Sequence, residues 1–269
     1  MRGTGDDAAS LPPAGDQRPD PDRVGEVLAG LGVGHDVILR FTVSGHQQRR
    51  AFAALGPNLQ GFEVRQVAFF DTTDLALWRA GVVASVRRVQ HGPAEVSVRV
   101  RPARGTPVSD AAWSTSVEVD VDGTTAALTC VCSADAGADD GRVKALLSGR
   151  LHLVDVLDER QRRVWERRVP RTVRARDLRI LGPVHLLTRR YFPGWYRRTL
   201  AAETWFLPGD APVLDLAVHA APATARRLAV RTQDALTKRG VGLQELPETA
   251  PRSVFSALAA DLVGAPDLT

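Results

Sequence analysis

Several strand-like stretches of this 269-residue chain carry a charge or a polar group at every second position. Arg99 and Arg101 alternate along "SVRVR", and Glu118 and Asp120 alternate along "SVEVDV". Asp36 and Arg40 share one face of "DVILR", Thr188 and Arg190 share one face of "LLTRR", and Arg160 and Arg162 share one face of "ERQRR" if that segment is extended. Arg87 stands with Ser85 on the face opposite Val82, Ala84 and Val86. Side chains two apart on a strand point the same way, so each pair presents a concentrated charge to one side of a sheet.

Arginine forks clasp phosphate oxygens in pairs, and carboxylates are the hard oxygen ligands that Mg²⁺ or Mn²⁺ prefers. A metal held there activates water or stabilises a leaving group. Inside a barrel, basic and acidic strands facing each other could bind a polyphosphate and its metal together. The alternative is the solvated face of a half-buried sheet. Segregation of the signs, one strand purely basic and the next purely acidic, favours the enclosed arrangement.

The elements that must position these charges follow from period and punctuation. "HDVILRFTV" predicts a strand over Asp36 to Val43, and "GHQQRRAFAALG" a helix ending at Gly56. From Phe62 to Val121 the period is two, with turn signals at "HGPA" and "RGTPVSD", which predicts antiparallel hairpins. "CSADAGADDGRVKALLSGR" reads as a polar loop and one helix. Strands are then expected in "HLVDVLDERQRRVWERRV", "TVRARDLRIL", "VHLLTRRYF", "LAAETWFL" and "PVLDLAVHA". Helices are expected in "DRVGEVLAGL", "ATARRLAVRTQDALTKRG" and "SVFSALAADLVG". Residues 1–22, rich in Pro, Gly and Asp, are expected to be a disordered tail, with one domain over 23–263 and a short tail over 264–269. So many antiparallel strands must close or fold over to protect their edges.

The order of these features resembles the CYTH family, the triphosphate tunnel metalloenzymes. "FFDTTDLALWRAGVVASVRR" is similar to the family's Phe-Phe-Asp-Thr-Pro-x-Leu block with its following Leu-Arg-x-Arg, and "VSVRVRP", "VEVDV", "LGPVHLL", "AAETWFLPGDAPVLDLAV" and "PRSVFSAL" follow in matching order. The resemblance implies an α+β protein, an antiparallel eight-stranded β-tunnel with helices packed outside. It implies hydrolysis of a triphosphate or nucleoside triphosphate with Mg²⁺ or Mn²⁺. Carried over by position, it implies phosphate binding by Arg40, Arg87, Arg99, Arg101, Arg162 and Arg190. It implies metal binding by Asp36, Glu118, Asp120 and Asp215, with Glu118 and Asp120 catalytic. Glu203 is a further acid, and Arg252 stands near the family's C-terminal base. Three positions depart from the pattern. Ile38 replaces a metal-side Glu, Ser85 a phosphate-binding Arg, and Thr188 a base.

Other chemistries find no support. Cys130 and Cys132 form a CxC pair without further cysteines and read as reduced structural thiols. The histidines, His35, His46 and His91 among them, lack ligand spacing, and there is no G-x-S-x-G elbow and no phosphate loop. The net charge of +4 is carried by arginine, since Lys144 and Lys238 are the only lysines, so position counts for more than number. The arginine-rich stretch over 159–176 reads as an exposed hairpin, with a partner surface as the alternative and nucleic acid not expected as a ligand. With no secretory signal or membrane-length apolar run, a cytoplasmic protein is expected. Three functions are compatible: a metal-dependent triphosphatase, an inactive polyphosphate- or nucleotide-binding module, and a partner-binding protein using the arginine-rich segment.

Overall fold

The computed structural model describes residues 28–29, 31, 35–90, 92–101, 116–121, 128–207, 211–244, 254–255 and 257–258. Both expected tails, most of the first helix and the end of the last lie outside the described residues. Among the described residues there are nine strands: β1 Asp36–Val43, β2 Leu59–Asp71, β3 Val82–Val89, β4 Ala94–Val100, β5 Ser116–Val121, β6 Leu128–Ala138, β7 Arg179–Tyr191, β8 Leu200–Phe206 and β9 Val213–Ala220. The described helices are α1 Gln48–Leu55, α2 Ala76–Arg79, α3 Asp140–Leu147, α4 Leu153–Val156, α5 Glu159–Arg168 and α6 Pro222–Lys238. No helix among the described residues is long and apolar enough to cross a membrane.

The strands close into a barrel in the order β1-β5-β6-β4-β3-β2-β7-β8-β9, with β9 pairing back to β1. The expected eight antiparallel strands are thus corrected to nine. A ring of nine cannot alternate direction all the way round, so one neighbouring pair has to be parallel. That pair is β1 and β5, with Ile38 opposite Glu118 and Arg40 opposite Asp120.

Alternation along each strand sorts side chains into an outer and an inner set. Outward residues of β1, β5, β8 and β9, such as Phe41, Val119 and Leu216, pack with α1 and α6 through Leu55, Leu228 and Leu236. Outward residues of β3 and β4, such as Val86 and Val98, pack with α3, α4 and α5 through Val143, Leu153 and Val164. A third cluster lies within the barrel. Val67, Phe69, Val184, Leu186 and Trp205 point inward and meet Trp78, Val254, Phe255 and Leu258. Trp78 and Phe255 stack with ring centroids 4.6 Å apart. This apolar plug fills the lower end, toward which β1 and β5 run.

Three sequence expectations are corrected. The segment 152–168 forms the two helices α4 and α5, not a strand. Asp158 accepts from the Gln161 backbone N–H at 2.7 Å while the Gln161 side chain accepts from the Asp158 N–H at 3.1 Å, a reciprocal cap that starts α5. The Gln161 amide then donates to Val96 O at 2.8 Å, fastening α5 to β4. Second, the expected polar loop after Cys132 is extended through Ala138 as β6, and Asp139 caps α3 by accepting from Arg142 N. Third, the stretches around Gly182 form one strand, not two. Gly182, at φ 96°, lies beside a register shift opposite Val67 and Phe69, where a Cβ would stand 3.0 Å from Val184 N and 3.3 Å from Val67 O.

The motif "FFDTTDLALW" has a local job. Asp71, fully buried, accepts from the backbone N–H groups of Thr72, Leu77 and Trp78 at 2.7, 2.9 and 2.9 Å. It thereby caps α2 and aims Trp78 into the plug.

Candidate functional site

Above the plug, the inward residues are charged. Arg40 on β1 is the centre, 4% exposed. Its Nε donates to Glu118 Oε2 at 3.0 Å, and its Nη1 donates to both Glu203 Oε2 at 2.7 Å and Asp215 Oδ2 at 2.8 Å. The other Asp215 oxygen accepts from Thr42 Oγ1 at 3.2 Å. Arg99 Nη2 reaches Glu118 Oε1 at 3.0 Å, so Glu118 links two guanidinium groups. Asp120, also inward, is 7% exposed.

The electrostatics follow from this wiring. Burial works against the Arg40 cation, yet the Glu118, Glu203 and Asp215 carboxylates hold its pKa well above the ordinary arginine value. Burial would raise Glu118, but Arg40 and Arg99 together keep it below the usual carboxylate range. Asp215 goes the other way. Complete burial pushes it up to about 7 against the pull of Arg40, with Glu203 and Asp120 adding like-charge repulsion.

Arg87 on β3 is also buried, at 7% exposure, but is wired differently. Its Nε has no hydrogen-bond partner, and among the described residues it forms no ion pair, although Glu95 is its register partner on β4. The inward Thr188 hydroxyl, 4% exposed, likewise lacks a partner. Ser85 and Ser97 stand opposite each other beside Arg87, small and polar.

The upper end opens into a cavity of about 570 Å³ lined by Glu63, Arg65, Glu95 and Asp135, among others. Arg65 Nη2 donates to Glu63 Oε2 at 2.5 Å, and Asp135 accepts from Ser97 Oγ at 2.6 Å and Ser116 Oγ at 3.2 Å. Burial, then the neighbouring Asp135, pushes Glu95 up to about 7.

The structure therefore brings together Arg40, Arg87, Arg99, Glu118, Asp120 and Asp215 inside the barrel. Arg101 is set lower, its guanidinium 5.9 Å from the Trp78 ring centre, against the plug. Arg190 sits at the upper rim, half exposed, 3.5 Å from Glu63. Asp36 is at the same end and bonds His219 Nδ1 at 2.6 Å, apart from the other carboxylates. Arg162 is corrected outright: it is exposed on α5, on the outer wall, because its segment is helical. Ile38, Ser85 and Thr188 all point inward, so their departures fall on the site's own lining.

Sequence reasoning left out Glu203 as a site member and missed Glu63, Arg65, Glu95 and Asp135. Glu95 had a signal, two residues before Ser97 and four before Arg99 on one strand face. Asp135 lay in "CSADAG", whose small residues carry little strand propensity.

The Mg²⁺ or Mn²⁺ that the resemblance implies can be tested against this lining. Glu118, Glu203 and Asp215 do converge, but on a guanidinium. Among the described residues, no group of three or more His, Cys, Asp or Glu side chains is spaced to hold a metal ion. With Arg40 in place the residues present do not fit the ion.

No family model matches the chain, and no curated protein matches it in sequence. Solved structures do match its architecture. HpAC1 from Hippeastrum, assigned as an adenylyl cyclase and described as having a dominant triphosphatase activity, is 13% identical, covers 81% of this chain and 94% of its own, and gives a TM-score of 0.60. The Bacillus halodurans protein bh2851, assigned as an adenylate cyclase, is 13% identical, covers 82% of this chain and 97% of its own, and gives a TM-score of 0.54. At such low identity the likeness concerns the fold. The chain shares the overall fold of these proteins.

Proposed function

We propose that the barrel binds a triphosphate-bearing anion through its upper mouth, with Arg87 and Arg99 as the principal contacts and Thr188, Ser85 and Ser97 as neutral donors. The observation that carries this reading is Arg87. An arginine at 7% exposure whose Nε has no hydrogen-bond partner, and which forms no ion pair among the described residues, costs the fold several kcal/mol, and an entering phosphate oxygen supplies the missing partner. The triphosphatase activity described for the similarly folded Hippeastrum protein supports the same ligand class.

Hydrolysis of the bound triphosphate is a second reading, favoured by Asp215. A carboxyl group held near pH 7 can give or take a proton under neutral conditions, which general acid or base work requires. Binding without turnover is the first reading, because Glu118, Glu203 and Asp215 are already committed to arginine.

Calorimetry with tripolyphosphate tests the binding reading. The wild-type chain is expected to bind, and Arg87→Ala to lose at least tenfold in affinity, in line with about 1.5–3 kcal/mol for a charge-assisted contact. No heat and no thermal shift in the wild-type chain would end the triphosphate reading. Phosphate release measured alongside separates turnover from capture.

A further inference from the structure

Three carboxylates on the barrel floor, Glu118, Glu203 and Asp215, have each spent an oxygen on arginine. Glu118 uses one oxygen on Arg40 and the other on Arg99. Glu203 and Asp215 each give one oxygen to the same Arg40 Nη1, and the remaining Asp215 oxygen takes Thr42. A divalent ion of the Mg²⁺ type needs near-octahedral oxygen coordination, which these oxygens can supply only after the guanidinium leaves. Ile38, two residues from Arg40 on the same inward face, stands in register with Glu118 and offers hydrocarbon where another oxygen would be needed.

We infer that the Arg40 guanidinium is the resident cation of this barrel, holding Glu118, Glu203 and Asp215 in place of a divalent metal, so that the site accepts its polyphosphate free rather than as a metal chelate. The first half concerns the carboxylates alone. The second half rests on the triphosphate reading.

The two halves are measured separately. Titration of Mn²⁺ into the full chain at pH 7.5 without phosphate, followed by the electron paramagnetic resonance signal of free Mn²⁺, is expected to show no uptake by the wild type up to about 1 mM. Arg40→Ala, which uncovers the three carboxylates, is expected to take up about one Mn²⁺ per chain and to melt higher with the metal than without it. Adding Glu203→Gln to that variant is expected to abolish the uptake. A wild-type chain that sequesters Mn²⁺ overturns the inference, whether or not the variant folds. A folded Arg40→Ala chain with no gain of Mn²⁺ overturns it as well.

For the second half, tripolyphosphate is titrated into the wild type with EDTA and then with excess Mg²⁺. Affinities within about twofold are expected, and a tenfold gain with Mg²⁺ overturns the metal-free form of the ligand. Absence of tripolyphosphate binding under both conditions sinks the triphosphate reading and leaves the Mn²⁺ result standing on its own.

Discussion

Replacing Arg40 by methionine keeps most of the side-chain volume and removes the charge, so its cost isolates the electrostatics of the floor. Glu118 would still hold Arg99 at 3.0 Å, which leaves the damage concentrated on Glu203 and Asp215. These two share one nitrogen of Arg40 at 2.7 and 2.8 Å and are 8% and 0% exposed, so the variant buries two carboxylates without a counter-charge. Breaking a buried pair in this way costs about 3–5 kcal/mol at pH 8. The sign of the pH dependence follows. In the variant Asp215, buried without its guanidinium, has a pKa still further above that of the unfolded chain, so the folded state binds a proton that the unfolded state does not. That proton restores about 1.4 kcal/mol per pH unit as the pH falls. Wild-type Asp215, already near 7, regains less over the same interval. At pH 5.5 the deficit should therefore shrink to about 2–3 kcal/mol. Urea unfolding followed by the fluorescence of the buried Trp78 and Trp205 gives both values. A deficit below about 1 kcal/mol at pH 8, or one equal at the two pH values, would refute the role given to Arg40.

Asp71→Ala should cost about 2–3 kcal/mol, because three backbone N–H groups lose their acceptor, and Asp71→Asn should recover part of it in the same denaturation assay. Phe255→Ala should cost about 3–5 kcal/mol in thermal or urea unfolding by opening a hole in the apolar plug beside Trp78. Glu95 keeps its proton to a higher pH when folded than when unfolded, so its contribution to stability falls as pH rises from the ordinary carboxylate range to about 7. Glu95→Gln should accordingly raise the melting temperature at pH 8 and leave it nearly unchanged at pH 4, an effect of about 1–2 kcal/mol after allowance for solvent screening. Equal effects at both pH values would show that Glu95 is not the titrating group.

The inward placement of Arg40, Arg87, Arg99, Glu118 and Asp120 was legible because a period of two is local information. Each of these residues sits on a strand whose other face is apolar, and the pleat does the sorting. What the alternation did not contain was the partner list. Arg40 meets Glu203 and Asp215 across 163 and 175 residues of chain, a consequence of β8 and β9 returning to close the ring. Nor could local pattern tell that Arg87 would lack, among the described residues, the ion pairs that Arg40 has threefold. The error at 159–168 was of another kind. "RRVWERRV" places bulky apolar residues close enough together to imitate a strand, and the Asp158 to Gln161 cap that starts a helix was overlooked. The run of small residues in β6 hid a strand for the opposite reason, since its pairing with β4 and β5 supplies the order that its own side chains do not favour.

The apolar plug decides how a ligand can travel. With Phe69, Trp78, Trp205 and Phe255 packed across the lower end, the barrel is a cup rather than a passage open at both ends. Among the described residues, whatever comes in through the mouth bordered by Glu63, Arg65, Glu95 and Asp135 meets that plug and goes out the way it came. A long anionic chain could not be threaded through and gripped in the middle. It could present only its terminus, so that residues at the depth of Arg87 would read the end of a polymer and never its interior.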